Sequence, residues 1–66
     1  MNSLYDLKQY VTDVMITYPS LKDECLDYLQ LALDEVEAGE SEPNEVQLAA
    51  GSILELIEEL KRGNVL

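Results

Sequence analysis

The residues of this chain that could do chemistry are carboxylates. Asp34, Glu35, Glu37, Glu40, Glu42 and Glu45 fall within twelve positions, and no base interrupts them. Carboxylates at this density can meet a basic protein surface, collect weakly around a divalent cation, or simply keep a loop in water. The alternating acids and central glycine of a calcium loop are absent, which weighs against the cation. Glu42 and Glu45 gain from standing at the start of a helix. Asp34, Glu35 and Glu37 stand near a helix C-terminus, where the dipole is unfavourable to them. A chain tuned for stability alone would carry lysines there, so the run reads as a docking patch for a basic partner, with a solvated loop as the plainer alternative.

Other reactive groups are scarce. The chain has no histidine, the commonest metal ligand and general base, and one cysteine. Cys25 lies on an apolar face between Leu21 and Leu29, beside Glu24, which raises a thiol pKa. It reads as a structural thiol. There is no Ser-His-Asp or Cys-His set, no glycine-rich phosphate loop and no zinc motif. Paired acid–base catalysis needs a cleft that shifts carboxylate pKa values, and a chain this small has little means to build one. The expectation is a protein that is not an enzyme and needs no cofactor and no metal.

The elements that position these residues can be read from apolar spacing. Ser3 caps a first helix, with Asp6 three positions on as its capping-box partner. Leu4, Leu7, Val11, Val14, Met15 and Tyr18 recur at helical intervals, and Pro19 ends the helix near Thr17. Ser20 is the expected cap of a second helix over 20–38, with Leu21, Cys25, Tyr28, Leu29, Ala32 and Val36 on one face and Leu26 and Leu33 widening it. Gly39 suits the left-handed residue after its last turn. Residues 39–43 form a turn, and Pro43 opens a third helix capped by Ser41 or Glu42. That helix carries a heptad seam of Val46, Ala50, Ile53, Ile57 and Leu60, and Gly63 ends it. Residues 64–66 are expected to fray.

The fold class that follows is all-α, in a single domain over 1–66. Two long helices form an antiparallel hairpin, and a shorter N-terminal helix folds back across it or joins another subunit. A chain of 66 residues buries only about 60% of its unfolded surface. With no disulfide or histidine metal site to staple it, oligomerisation is the remaining aid. Leu26, Leu31, Leu33, Leu48, Leu54 and Leu56 exceed what one hairpin can bury. A homo-oligomeric helical bundle is expected, against the alternatives that helix one covers the surplus or that it forms a groove for another protein.

Ala49-Ala50-Gly51-Ser52 is a run of small residues that costs helix propensity, with Gly51 alone costing about 1 kcal/mol relative to Ala. Ordinary close packing, a subunit crossing and a ligand approach remain alternatives. Among the tyrosines, Tyr5 and Tyr10 stand off the main stripe. The expected oligomer interface is Tyr5, Tyr10, Leu48, Gly51, Leu54 and Leu56.

Fourteen acids against four bases give a net charge of -10. That argues against direct nucleic-acid binding and against an anionic membrane surface. No apolar run is long enough to span a membrane, and the N-terminus has no signal-peptide pattern. One unpaired cysteine fits a reducing interior, so the expected location is the cytoplasm. The expected partners are a basic protein and the chain itself. The profile resembles the accessory and inhibitor proteins of phages and other mobile elements, and the most concrete expectation from the acidic run is an inhibitor that imitates nucleic-acid charge. A structural subunit of a larger helical assembly, or an oligomer that sequesters a small ligand between subunits, are the other two expectations.

Overall fold

A computed structural model describes residues 1–63. The expected fraying of residues 64–66 lies outside that range. Three α-helices account for most of the chain: α1 (Leu4–Thr17), α2 (Lys22–Glu37) and α3 (Glu42–Gly63), with a 3-10 turn at Pro19–Leu21 between the first two.

Helix α1 begins at the expected Ser3 cap, with the Ser3 half of the capping box formed. Ser3 is extended, its hydroxyl accepts the Asp6 N–H at 3.1 Å, and its carbonyl accepts the Leu7 N–H at 3.0 Å. The helix closes where Pro19 forbids continuation, with the Tyr18 N–H donating to the Val14 carbonyl at 2.7 Å.

The expected Ser20 cap does not form. Pro19 starts a 3-10 turn, in which the Leu21 N–H donates to the Tyr18 carbonyl at 3.0 Å. Leu21, buried in the core, then becomes the N-cap of α2 without a side-chain hydrogen bond. Helix two therefore begins two residues later than the sequence suggests, because burying Leu21 fixes the turn and leaves Ser20 exposed.

The α2–α3 turn is a Schellman closure. Gly39 has φ +107°, its N–H donates to the Val36 carbonyl, and the Glu40 N–H donates to the Glu35 carbonyl, each at 3.0 Å. Only glycine takes that φ without strain. Ser41 then supplies the first acceptor of α3, its carbonyl taking the Glu45 N–H at 3.0 Å. Short connections at both ends run the helices up, down and up, so α1 and α3 are parallel and their N-termini meet.

The core is entirely apolar among the described residues. Leu7, Val11 and Val14 of α1 meet Cys25 and Ala32 of α2 and Val46, Ala49, Ile53 and Ile57 of α3, with Leu21 at the turn. Helix α1 packs against both other helices within the same chain. Its role is larger than that of a helix laid over a finished hairpin. The bulkiest fully buried side chains come from α1 and α3, whereas α2 contributes only the small Cys25 and Ala32. On α3 the buried line keeps Val46, Ile53 and Ile57 of the heptad reading, with Leu60 packed beside them, and departs from it at one step: Ala49 is buried and Ala50 only half-buried.

Candidate functional site

Three helix ends converge at the acidic pole: the N-termini of α1 and α3 and the C-terminus of α2. Two positive dipole ends and one negative end therefore sit among the carboxylates. This arrangement relieves part of the repulsion that the sequence left unexplained.

The structure separates the six acids. Glu42 does internal work: its Oε2 accepts the Leu4 N–H at 2.8 Å, joining residues 38 apart in sequence. That N–H is one of the orphan donors of the first turn of α1. A second tie runs beside it, from Gln47 Nε2 to Asn2 Oδ1 at 3.2 Å. Asp34 accepts a hydrogen bond from Gln30 Nε2 at 2.9 Å, one turn back on α2. Glu35 and Glu45 are half-buried, while Glu37 and Glu40 are exposed around the Gly39 turn. Among the described residues, no three acids or cysteines are grouped so as to hold a metal ion.

The six expected interface residues do not form one patch. Tyr5 is 70% exposed on the outer side of α1, opposite its buried stripe, while Tyr10 is half-buried and packs on the core. Leu56 also packs partly on the core. On α3, at roughly 100° per residue, Gly51 points away from the buried stripe and Leu48 and Leu54 stand about 120° apart on either side of it. Leu48 is 66% exposed and Leu54 49%. A Cβ built on Gly51 would meet nothing within 4 Å, so Gly51 itself admits no other helix of this chain, whereas Ala49 of the same run packs in the core.

Part of the described surface is concave. Tyr28, Leu31 and Ala32 of α2 face Leu48, Ala49 and Ser52 of α3 across a cleft of about 110 Å³, with Glu45 at one end. All of these residues belong to α2 or α3, so α1 takes no part in the cleft. Small-molecule pockets usually enclose about 300–1,000 Å³, so the cleft is small for one. It does bring one tyrosine, Tyr28, to the Ala49–Ser52 notch. In the sequence Leu31 stands out only as surplus, and Leu48 as surplus and as an expected interface residue. The available signal was the matching spacing of Tyr28 and Leu31 on one helix and Glu45, Leu48 and Ser52 on the next.

Cys25 is fully buried and free. Burial pushes its thiol pKa up, and Glu24 adds to the rise. The Tyr10 phenol is raised as well, by burial first and by the neighbouring Cys25 second. A thiol held protonated in an apolar core is a poor nucleophile.

Among the described residues, no helix is long and apolar enough to cross a membrane. What these features define as a class is a small up-down-up three-helix protein with an acidic pole. No family model, curated protein or solved structure matches the chain.

Proposed function

We propose that this chain is a non-enzymatic protein–protein interaction module whose acidic pole binds a basic protein. The observation that carries the reading is the position of Glu37 and Glu40. Both are exposed at the α2–α3 turn, next to half-buried Glu35 and Glu45, on backbone fixed by the Gly39 closure. Carboxylates carried on backbone fixed in this way need little ordering when they bind. The concrete form is an inhibitor that occupies a surface built to grip phosphates, of the kind phages and mobile elements encode, acting in the cytoplasm.

The test is capture of partners by the tagged chain beside a Glu37→Lys/Glu40→Lys variant, followed by a salt titration of whatever the wild type recovers. A nucleic-acid-binding protein recovered by wild type alone, with affinity falling steeply as salt rises, supports the reading. Equal recovery by both chains, or affinity indifferent to salt, refutes it. Glu42 is kept unchanged in the variant because its carboxylate caps α1.

A second reading is a structural subunit of a larger helical assembly. It is favoured by Leu31, Leu48 and Leu54, which remain about half exposed or more. It predicts that the charge-reversed variant assembles as the wild type does, whereas Leu48→Gln does not.

A further inference from the structure

We infer that the α2–α3 cleft is the docking groove for a short amphipathic helix of a basic partner. The inference rests on the acidic-pole reading and names where and how that partner is held. Three observations converge. Tyr28, Leu31 and Leu48 flank a concave surface that no other helix of the chain covers, and Leu31 and Leu48 are 54% and 66% exposed. Its floor is made of Ala32, Ala49 and Ser52, small side chains that let an incoming backbone come close. Its open end carries Glu45, and beyond it the surface runs on over Asn44 and Gln47 toward the acidic turn.

Length and charge select the occupant. From Glu45 to Ser52 the groove follows about two turns of α3, or roughly 10 Å. An occupant of two to three helical turns fits, with apolar anchors at i and i+3 or i+4 in the groove. Its flanking lysines or arginines would meet Glu45 and the acidic pole. A second copy of this chain is the poorer occupant, because it brings another -10 to the same surface. The groove therefore supplies what the acids lack. Charge attracts any basic surface, whereas Tyr28, Leu31 and Leu48 admit only one with apolar residues at helical spacing.

The experiment uses two labelled sixteen-residue peptides of equal positive charge. One is a helix-forming Leu/Lys/Ala sequence with leucines at i, i+3 and i+7; the other replaces those leucines with glutamine. The proteins are the wild type, Leu31→Gln/Leu48→Gln and Glu37→Lys/Glu40→Lys. Both changed sites are exposed, and circular dichroism checks that helicity is retained. The expected result is that the leucine peptide binds the wild type at least about tenfold more tightly than the glutamine peptide, a difference of about 1.4 kcal/mol. The Leu31→Gln/Leu48→Gln variant should remove that difference and leave glutamine-peptide binding unchanged.

Equal binding of the two peptides by the wild type overturns the groove and leaves the acidic-pole reading standing. Binding of neither peptide overturns both. Sedimentation of the free chain adds one more outcome: a wild-type dimer that Leu31→Gln/Leu48→Gln dissociates would overturn the inference by showing that a second copy covers the groove.

Discussion

The Leu4 N–H donates to the Glu42 carboxylate at 2.8 Å, so the first residue of α3 caps the first turn of α1. An acid of the acidic pole is thereby part of the fold. It satisfies an orphan donor and places a negative charge between two helix N-termini, both of which favour it. Glu42→Ala should cost about 1 kcal/mol, within the range for losing a helix cap. In a domain of this size that lowers the melting temperature by about 4–8 °C. Glu42→Gln keeps an acceptor and loses the charge, so it should fall between the two. A thermal melt monitored by circular dichroism decides it, and an unchanged Glu42→Ala melt would mean the bond is not kept in solution.

Gly51 makes the opposite prediction. It sits mid-helix with open space where a Cβ would go. Gly51→Ala should stabilise the isolated chain by up to about 1 kcal/mol through helix propensity. The same substitution would hinder a close crossing by another subunit. Melting temperature and sedimentation, measured together, separate the cases. A rise in melting temperature with no change in mass means Gly51 faces water, and a loss of mass means it faces a second chain.

Periodicity showed which side of each helix turns inward, because that depends only on local spacing. Leu7, Val11 and Val14 were legible in this way, as were Ile53 and Ile57. The Ser3 cap and the Gly39 turn were legible because each needs a particular residue at a particular backbone conformation. Relations between helices were not. The spacing of α2 set Cys25 and Ala32 on its main face and Leu31 off it, but not that Tyr28, Leu29 and Val36 of that same face would stay half-buried. The Ser20 cap failed because a tertiary demand, burial of Leu21, outweighed a local preference. The bond between Leu4 and Glu42 could not be foreseen, since it depends on α1 and α3 being parallel. Within the acidic run, residue type gave the charge, but only the fold separates Glu42, used as a cap, from Glu37 and Glu40, which are exposed.

Cys25 and Tyr10 predict an alkaline weakness. Both groups titrate from neutral to anionic, and burial raises both pKa values in the folded state. Above the unfolded thiol value, about 8.5, the folded chain holds more protons than the unfolded one, so stability falls as pH rises. The contribution is fully present at pH 7 and is lost as pH climbs through the raised folded values. Urea unfolding at pH 7.0, 8.5 and 10 should show this decline. Cys25→Ala, although less stable at pH 7, should decline less steeply between pH 8.5 and 10. An equal slope in both proteins would remove the thiol as its cause.

The place of α1 in the core yields the sharpest test of the fold. Leu7 is fully buried among residues of all three helices. Leu7→Ala should cost about 2–5 kcal/mol, as removing a core leucine does. A 66-residue chain has a total stability of only about 3–10 kcal/mol. The substitution therefore threatens the whole molecule, and helical signal from α2 and α3 should be lost in the same transition as that from α1. Ile16→Ala, at the 73% exposed position on the same helix, should change stability by less than about 0.5 kcal/mol. Were α1 only laid over a self-sufficient hairpin, Leu7→Ala would instead lose roughly the helical signal of α1 at low temperature and leave a second, separate melt for α2 and α3. A single cooperative transition, moved down in temperature by Leu7→Ala and left in place by Ile16→Ala, is the outcome the three-helix core requires.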